Sequence, residues 1–316
     1  MELFHDVNID WLGKKWYFLS FSLVFSIAGI LSMAFWHHIP LSVDFRGGTD
    51  VTIKFAQPVS ADHIRSAMDA AGIKDPRIQA IGRASENEVL IGLDLRETSE
   101  SQLESGKTQI VNALNKAGFK NFEVTDAAVV GAVVGKQLQK QAFLATLYSL
   151  IGMLVYLWFR FELIYGVAAV VAVFHDTLIT VGAFSLTNTE ISLTVIAAIL
   201  TLIGYSMNDT IVVFDRIREN LKLRRRESLA EIVNTSINQT LSRTVLTSGL
   251  TLLTVLALFF FGGEVLHGFS FALVIGIIIG TYSSIAVAAP MLVAYQEHRM
   301  KKGKPVTLPT GKKARA

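Results

Sequence analysis

The chain has 316 residues, of which 51% are hydrophobic and only 17% are charged, and its mean hydropathy is +0.45. This composition excludes an ordinary soluble enzyme and indicates a polytopic membrane protein. The net charge of +3 does not indicate nucleic-acid binding, because the basic residues cluster beside apolar runs. The absence of cysteine excludes disulfides, thiolate metal sites and cysteine nucleophiles.

Six apolar runs are long enough to cross a membrane, which takes about 20 residues. They cover 16–36, 141–159, 163–184, 191–214, 244–261 and 269–293. Lys and Arg lie beside those ends of the runs that would face one side of the membrane. The loops 185–190 and 262–268, which would face the other side, contain neither residue. The positive-inside rule therefore predicts that the terminal segments 1–15 and 294–316 are cytoplasmic, and that 37–140 is external, which in a bacterium means periplasmic.

The external segment has the pattern of a small folded domain. Apolar and alternating runs predict four strands, and two helices lie between them, one capped by Ser60 and the other over 100–117. The order β-α-β-β-α-β is the ferredoxin-like arrangement. His63 is a lone histidine on the first helix and is interpreted as a surface residue. The strands are predicted at 51–55, 77–81, 88–93 and 119–130.

The remaining part of the chain, 141–293, forms spans two to six with a cytoplasmic loop at 215–243. In this loop, Ser228 and Glu231 have the spacing of a capping box, and an apolar stripe follows them. This pattern predicts a separate interfacial helix on the cytoplasmic side. In the sixth span, the spacing of Gly276 and Gly280 is typical of close helix packing.

Asp209 is the first candidate functional residue, because it lies inside the fourth span, and we assign its neighbour Asn208 to the same candidate proton pathway. A carboxylate there costs several kcal/mol unless it is protonated, paired or hydrated. Arg243 opens the fifth span from the same side of the membrane, and we expect it to pair with Asp209. Thr247, one turn further along, is a candidate relay residue. A proton or ion site and a static ion pair both explain this pattern.

His175 and Asp176 lie near the middle of the third span. Two titratable groups at that depth indicate a proton relay, with Asp176 the stronger candidate, although hydrogen bonds that only fix helix packing remain an alternative. Zinc-protease, serine-hydrolase and intramembrane-protease motifs are absent from the sequence. We therefore predict no enzymatic activity and no cofactor, with protons as the coupling ion.

Several motifs resemble the SecD/SecF family of the resistance-nodulation-division superfamily, over residues 16–293. The longest and most specific of them runs from Gly204 to Asn220. The others are Asp44-Phe45-Arg46-Gly47-Gly48-Thr49, Val134-Gly135, Phe159-Arg160-Phe161-Glu162, His175-Asp176, Thr244 to Gly249 and Phe261-Gly262-Gly263.

This resemblance implies a multi-pass protein of the bacterial plasma (inner) membrane with six spans and one external domain. It implies pairing with SecD, association with the SecYEG translocon, YajC and YidC as further partners, and use of the proton-motive force to help draw preproteins across the membrane. It also implies that Asp209 and Arg243 belong to the proton pathway. We expect their movement to reach the external domain through the first two spans.

Two other functions remain open from the residues themselves. One is a proton-coupled half-transporter for the efflux of small molecules, although such pumps carry a larger external domain. The other is a non-transporting assembly subunit whose buried charges only hold helices together.

Overall fold

The computed structural model describes residues 7–73, 76–81, 87–93, 100–161, 163–224 and 226–302, without the side chains of 100–105 and 264. Within these residues, six helical stretches are long and apolar enough to cross a membrane. The polytopic helical fold is thereby confirmed. The extreme ends of the predicted terminal segments, 1–6 and 303–316, lie outside the described residues. The six stretches that could cross a membrane are Lys15–Trp36, Ala132–Arg160, Leu163–Thr187, Leu193–Leu223, Leu229–Phe261 and Val265–Lys301.

Two π-helical turns, Ser32–Trp36 and Ser284–Ala288, interrupt the first and last stretches. In chain order, the remaining elements are α1 (Lys15–Leu31), α2 (Val43–Arg46), β1 (Gly48–Phe55), α3 (Ala61–Ala70), β2 (Arg77–Ile81), β3 (Glu88–Leu93), α4 (Glu100–Lys116), β4 (Phe122–Val130), α5 (Ala132–Arg160), α6 (Leu163–Thr187), α7 (Leu193–Leu223), α8 (Leu229–Phe261), α9 (Gly263–Ser283) and α10 (Ala289–Lys301).

The external segment folds as an antiparallel four-stranded sheet in the order β2-β3-β1-β4. With α3 and α4 between the strands, this is the predicted ferredoxin-like topology. Ser60 caps α3 by accepting a hydrogen bond from the amide of His63, whose side chain is exposed as predicted. Gly72 and Gly118 end the two helices with φ of 79° and 83°, which favours glycine. A separate apolar core fills the space between sheet and helices.

The predicted loop at 215–243 is mostly helical, which corrects the sequence interpretation. Helix α7 continues to Leu223, and α8 starts at Leu229 and runs without a break into the fifth span. The capping box of Ser228 and Glu231 is present, but the helix that it starts is the beginning of α8 and not a separate interfacial helix. No glycine or proline separates the amphipathic stripe from the apolar run, so one helix carries both.

Side-chain hydrogen bonds hold the extended ends of α7 and α8 together. The buried Asn220 donates to Ser236 Oγ and to Gln239 Oε1, both at 2.8 Å, and Arg216 Nε donates to the same Gln239 oxygen. These polar contacts join the parts of α7 and α8 that extend beyond the apolar runs of the fourth and fifth spans. The hairpin therefore keeps α7 and α8 antiparallel up to their connecting turn.

Helices α7 and α9 pack closely at the two glycines that the sequence singled out. A Cβ atom added at Gly276 would lie 2.4 Å from Leu202 Cδ1, and one added at Gly280 would lie 2.9 Å from Ser206 Cβ. Only glycine allows this approach, so the predicted role of this pair in helix packing is confirmed. The approach also brings the polar side chains of α7 and α9 together.

The motif after the first span, Asp44 to Thr49, contains the end of the short helix α2 and the start of β1. Asp44 Oδ2 accepts a hydrogen bond from the amide of Leu193, the first residue of α7, at 2.9 Å. Gly47, with φ of 76°, lies against the backbone of Ala132 at the start of α5. Helix α5 begins nine residues before the predicted span, within the segment assigned to the external domain. The motif thus joins the domain to the ends of α5 and α7.

Candidate functional site

The carboxylate of Asp209 lies at the meeting point of three helices. Asp209 on α7 is only 3% exposed, and its Oδ2 accepts a hydrogen bond from Ser248 Oγ on α8 at 3.0 Å. Ser248 in turn accepts one from Thr281 Oγ1 on α9 at 2.9 Å. Asp209 is about 10 Å along α7 from Arg216, at about 1.5 Å per residue. A titratable group is therefore buried within an apolar span and bonded to hydroxyl groups.

The expected ion pair between Asp209 and Arg243 is not present in the described residues, which corrects that prediction. Arg243 is exposed on α8, although its charge remains within electrostatic range of Asp209. The helix geometry gives the reason: Arg243 and Ser248 are five residues apart and point about 140° away from each other. With Ser248 turned towards Asp209, Arg243 faces outwards.

The carboxylate of Asp176 forms a second buried polar centre. Asp176 on α6 is fully buried, and its Oδ2 accepts hydrogen bonds from Ser206 Oγ on α7 at 2.6 Å and from Ser283 Oγ on α9 at 2.8 Å. Its Oδ1 is 3.0 Å from Nδ1 of the adjacent His175. The other ring nitrogen of His175 is buried without a hydrogen-bond partner. His175 and Asp176 therefore form one bonded pair, with the carboxylate in the bundle interior.

Helices α7 and α9 carry partners of both carboxylates. Ser206 and Asp209 lie three residues apart on one face of α7, and Thr281 and Ser283 lie two residues apart on α9. An ionised carboxylate only accepts hydrogen bonds, whereas a protonated one also donates. A proton gained or lost at either centre therefore changes the bonds that hold α7 against its neighbours.

Asn208 and Thr247 are not part of these centres. Asn208 is exposed on α7, and Thr247 is exposed on α8, where its hydroxyl donates to the backbone oxygen of Arg243 at 3.0 Å. Together with Arg243 they form what we term the outward polar face, which consists of Asn208, Arg243 and Thr247. Polar side chains that face outwards at membrane depth are costly in lipid.

The serine and threonine partners of the carboxylates were not singled out from the sequence. Ser206, Ser248, Thr281 and Ser283 each lie within an apolar span. Ser206 is three residues before Asp209, which places both on one face of α7, but Ser206 bonds to Asp176 and not to Asp209. The positions of Ser248 and Thr281 depend on how α8 and α9 pack, which the local sequence does not encode.

A second group of charges lies outside the spans, where the α6–α7 junction (188–192) meets the external domain. Arg77 Nη2 is 2.5 Å from Asp50 Oδ1, and Arg77 Nε is 2.7 Å from Glu190 Oε1. The second contact is an ion pair and not an aligned hydrogen bond. Burial raises the pKa of Glu190, and the charge of Arg77 opposes this increase.

Among the described residues, no cluster of histidine or acidic side chains is arranged to hold a metal ion.

Comparisons with known proteins identify the family. The family model "Protein export membrane protein SecD/SecF, C-terminal" matches residues 110–298. A protein translocase subunit SecF of Koribacter versatilis is 56% identical over 96% of this chain and 95% of its own length. The protein translocase subunit SecF of Vibrio alginolyticus is 44% identical over 82% of each chain.

Solved structures agree with the sequence relatives. The crystal structure of SecDF, a translocon-associated membrane protein from Thermus thermophilus, matches with a TM-score of 0.82 and 38% identity over 92% of this chain. A SecDF structure in a super-membrane-facing form gives a TM-score of 0.68 over 96% of the chain. The chain spans 39% and 41% of those two longer chains. It belongs to the SecF proteins of the SecD/SecF family.

Proposed function

We propose that this chain is a subunit of a protein-export complex that uses the proton-motive force to help move preproteins through the Sec translocon. Family membership supports the role in export. The buried carboxylate of Asp209 is the observation that supports proton coupling most strongly, because an ionisable group inside a span is costly to keep without a role.

Asp209 is proposed to bind and release the coupling proton. A charge that crosses the membrane field gains about 2.3 kcal/mol per 100 mV, which can bias a conformational equilibrium of a few kcal/mol. When ionised, Asp209 accepts a hydrogen bond from Ser248 and attracts Arg243. Protonation removes that attraction, so α8 is free to move against α7.

Asp176 is proposed as a second proton-binding group, with His175 as its relay. Its bonds to Ser206 and Ser283 connect α6 to α7 and α9, so a change of charge at Asp176 affects the same helices. The Nε2 atom of His175 is buried and has no hydrogen-bond partner, so a proton can bind there once a rearrangement admits water or another carrier. Both carboxylates would then act on one mobile element, α7.

The outward polar face is proposed to pack against the membrane helices of SecD. An exposed arginine and asparagine at membrane depth need polar partners, and a second helical subunit supplies them. On this basis Asn208, Arg243 and Thr247 belong to a proton pathway that the partner completes. SecYEG and the translocating preprotein are proposed as further partners, with YajC and YidC as candidates.

The proposed location is the bacterial plasma membrane, with the external domain in the periplasm. Basic residues lie at or near two connections at one end of the bundle. Arg160 precedes the loop between α5 and α6, and Arg216, Lys222 and Arg224 lie at or before the turn between α7 and α8. At the other end, the junction 188–192 and the turn 262–263 contain no basic residue. The positive-inside rule supports a cytoplasmic position for the basic end.

The decisive experiment replaces Asp209 by asparagine in membrane vesicles that export a preprotein. Asn cannot carry a proton, so we expect Asp209→Asn to abolish the stimulation of export by an imposed proton gradient while the complex still assembles. Arg243→Lys is expected to reduce stimulation, because an ammonium lacks the planar fork of a guanidinium. Asp215→Asn is the matched control, since Asp215 is an exposed carboxylate of α7 that pairs with Arg160.

One rival function is favoured by a specific observation. Hydroxyl groups within the bundle donate to both carboxylates, one to Asp209 and two to Asp176, as a structural role would require. If Asp209→Asn vesicles respond to the gradient as the Asp215→Asn control does, the assembly role replaces proton coupling.

A further inference from the structure

The external domain and the α6–α7 junction share a three-charge bridge, which consists of Asp50, Arg77 and Glu190. Asp50 lies on β1 and Arg77 on β2, while Glu190 belongs to the membrane bundle. The three side chains are 8%, 20% and 16% exposed, so water screens their interaction only partly. The guanidinium thus lies between two carboxylates, one from each side of the interface.

Arg77 is the cation that makes this interface attractive. Asp50 and Asp44 act on Glu190 as like charges, and Arg46 acts as a weaker opposite charge. Without Arg77, the carboxylates of Asp50 and Glu190 would face each other across the interface, and like charges in a partly buried site repel.

The rest of this interface combines an open space with backbone hydrogen bonds of Ile191 to Pro40 and Ser42. A cavity of about 580 Å³ lies beside the bridge and is lined by the domain and by the junction. Asp126 and His267 are further titratable groups on its wall. Gln79 adds a hydrogen bond to the backbone oxygen of Asn188 at 3.2 Å. The bridge therefore adds to the contact of Asp44 with Leu193 in holding the domain on the junction.

The junction connects the two helices that carry the buried carboxylates. Glu190 follows α6, which carries Asp176, and precedes α7, which carries Asp209. A shift of either helix along its axis therefore moves Glu190 directly. The expected route through the first two spans is longer, since it passes through the contacts of α2 with α5.

We propose that Arg77 is the positioning residue that holds the external domain on the α6–α7 junction and passes the movement of α6 and α7 to that domain. The holding role stands on the contacts alone, whereas the transmitting role rests on the proposed proton coupling. Arg77 contacts neither carboxylate of the candidate proton site, so it acts through the junction.

The holding role can be tested by distances between spin labels on the full chain in lipid nanodiscs. The chain contains no cysteine, so His63→Cys on α3 and Val265→Cys on α9 accept labels specifically. Both positions are exposed and lie outside the bridge; residue 265 lines the open space beside it, so the labelled but otherwise unmodified chain is the reference for every variant. Electron–electron double resonance then measures the populations of docked and released domains.

Arg77→Gln leaves the carboxylates of Asp50 and Glu190 facing each other, and Glu190→Lys places a second cation beside Arg77. Because like charges in a partly buried site repel, each change is expected to increase the released population about tenfold. Arg77→Lys is expected to be intermediate, because its charge remains without the fork that reaches both carboxylates. The control Glu88→Lys reverses the charge of an ion pair within the sheet, 3.8 Å from Lys54, and should leave the domain docked.

Distances in Arg77→Gln and Glu190→Lys that match those of Glu88→Lys would overturn the holding role. If Arg77→Gln unfolds the domain, Glu190→Lys decides alone, because it leaves the Arg77–Asp50 pair intact.

The transmitting role is tested in export vesicles with the same variants. Glu190→Lys is expected to lose most of the gradient-dependent stimulation and to keep the gradient-independent rate. A released domain with full stimulation would overturn transmission through Arg77. If the unmodified protein shows no response to the gradient, the proposed coupling fails, and the label distances still decide whether Arg77 holds the domain.

Discussion

The six spans fall into two groups that differ in how much of them the chain itself buries. In the most apolar part of each span, 50% of the residues are buried in α6, 50% in α7 and 61% in the α9–α10 stretch. The corresponding fractions are 17% in α1, 6% in α5 and 17% in α8. The first group, which we term the inner helices, carries both buried carboxylates. The second group, the outer helices, supplies few buried groups.

The outer helices differ among themselves in what they expose. Aromatic side chains such as Trp16, Trp36 and Trp158 are exposed near the ends of α1 and α5, as in the aromatic belts of membrane proteins. Helix α8 also exposes aromatic side chains at its end, Phe260 and Phe261, but unlike the other two it exposes Arg243 and Thr247 within its apolar run. On this basis we expect α1 and α5 mainly to face lipid, and we expect α8 and the outward side of α7 to face the proposed protein partner.

The largest expected effect is the loss of close packing between two inner helices. In Gly280→Leu, the new side chain would collide with Ser206, whose Cβ is 2.9 Å from the position of an added Cβ atom. We expect a loss of about 3 kcal/mol in the free energy of unfolding, at the upper end for overpacking. Gly249→Leu on the outer helix α8 is the control, because no atom lies within 4 Å of its added Cβ.

Thermal unfolding of the purified chain in detergent measures this difference. A Gly280→Leu protein with the midpoint of Gly249→Leu would show that the inner helices are not packed as described.

A smaller effect is expected on the outward polar face. Asn208→Leu should leave the unfolding midpoint of the isolated chain unchanged, since Asn208 makes no contact that the inner helices need. It should weaken association with SecD by about 1 kcal/mol, the usual scale of a hydrogen bond between membrane helices. Titration of SecD into labelled chain in bicelles measures this change. Tyr148→Phe, which removes an exposed hydroxyl from α5, should have no effect.

The architecture could be predicted from the sequence because its signals are local. The apolar runs predicted the six spans. Alternating apolar residues and the glycines that end helices predicted the ferredoxin-like domain, and the spacing of Gly276 and Gly280 predicted a helix contact. The separate helix expected after Ser228 was wrong because a helix continues wherever no residue breaks it. An amphipathic stripe alone therefore does not set a helix boundary.

The candidate site was predictable only in its charged members. Asp209 and Asp176 are conspicuous because carboxylates are rare in apolar spans. Their partners Ser248 and Ser283 come from distant helices, and the rotation of each helix decides which side chain faces inwards. Arg243 was assigned to Asp209 by depth along the helix, but depth does not determine direction. The bridge through Arg77 joins segments more than 100 residues apart, so no local pattern indicated it.

The smallest expected effect concerns pH at the α6–α7 junction, the part of the inner helices that contacts the external domain. Burial raises the pKa of Glu190 above its ordinary value of 4.5, Arg77 and Arg46 lower it, and Asp50 and Asp44 raise it, with burial the largest cause. The docked state therefore binds a proton more tightly than a released state in which Glu190 is solvated. By linkage, docking is strongest below pH 4.5 and weakens as the pH rises through the raised pKa, above which it stays constant.

The same pair of spin labels at positions 63 and 265 measures docking as a function of pH. Glu190→Gln carries no titratable proton, so its docked population should not change across this window, and it should resemble the low-pH state of the unmodified chain. The change is expected to be small because Arg77 partly stabilises the ionised carboxylate. An increase of the docked population as the pH rises through this window would contradict the prediction. It would show that the ion pair with Arg77 affects the pKa of Glu190 more than burial does, and that charge is the main force that holds the junction to the domain.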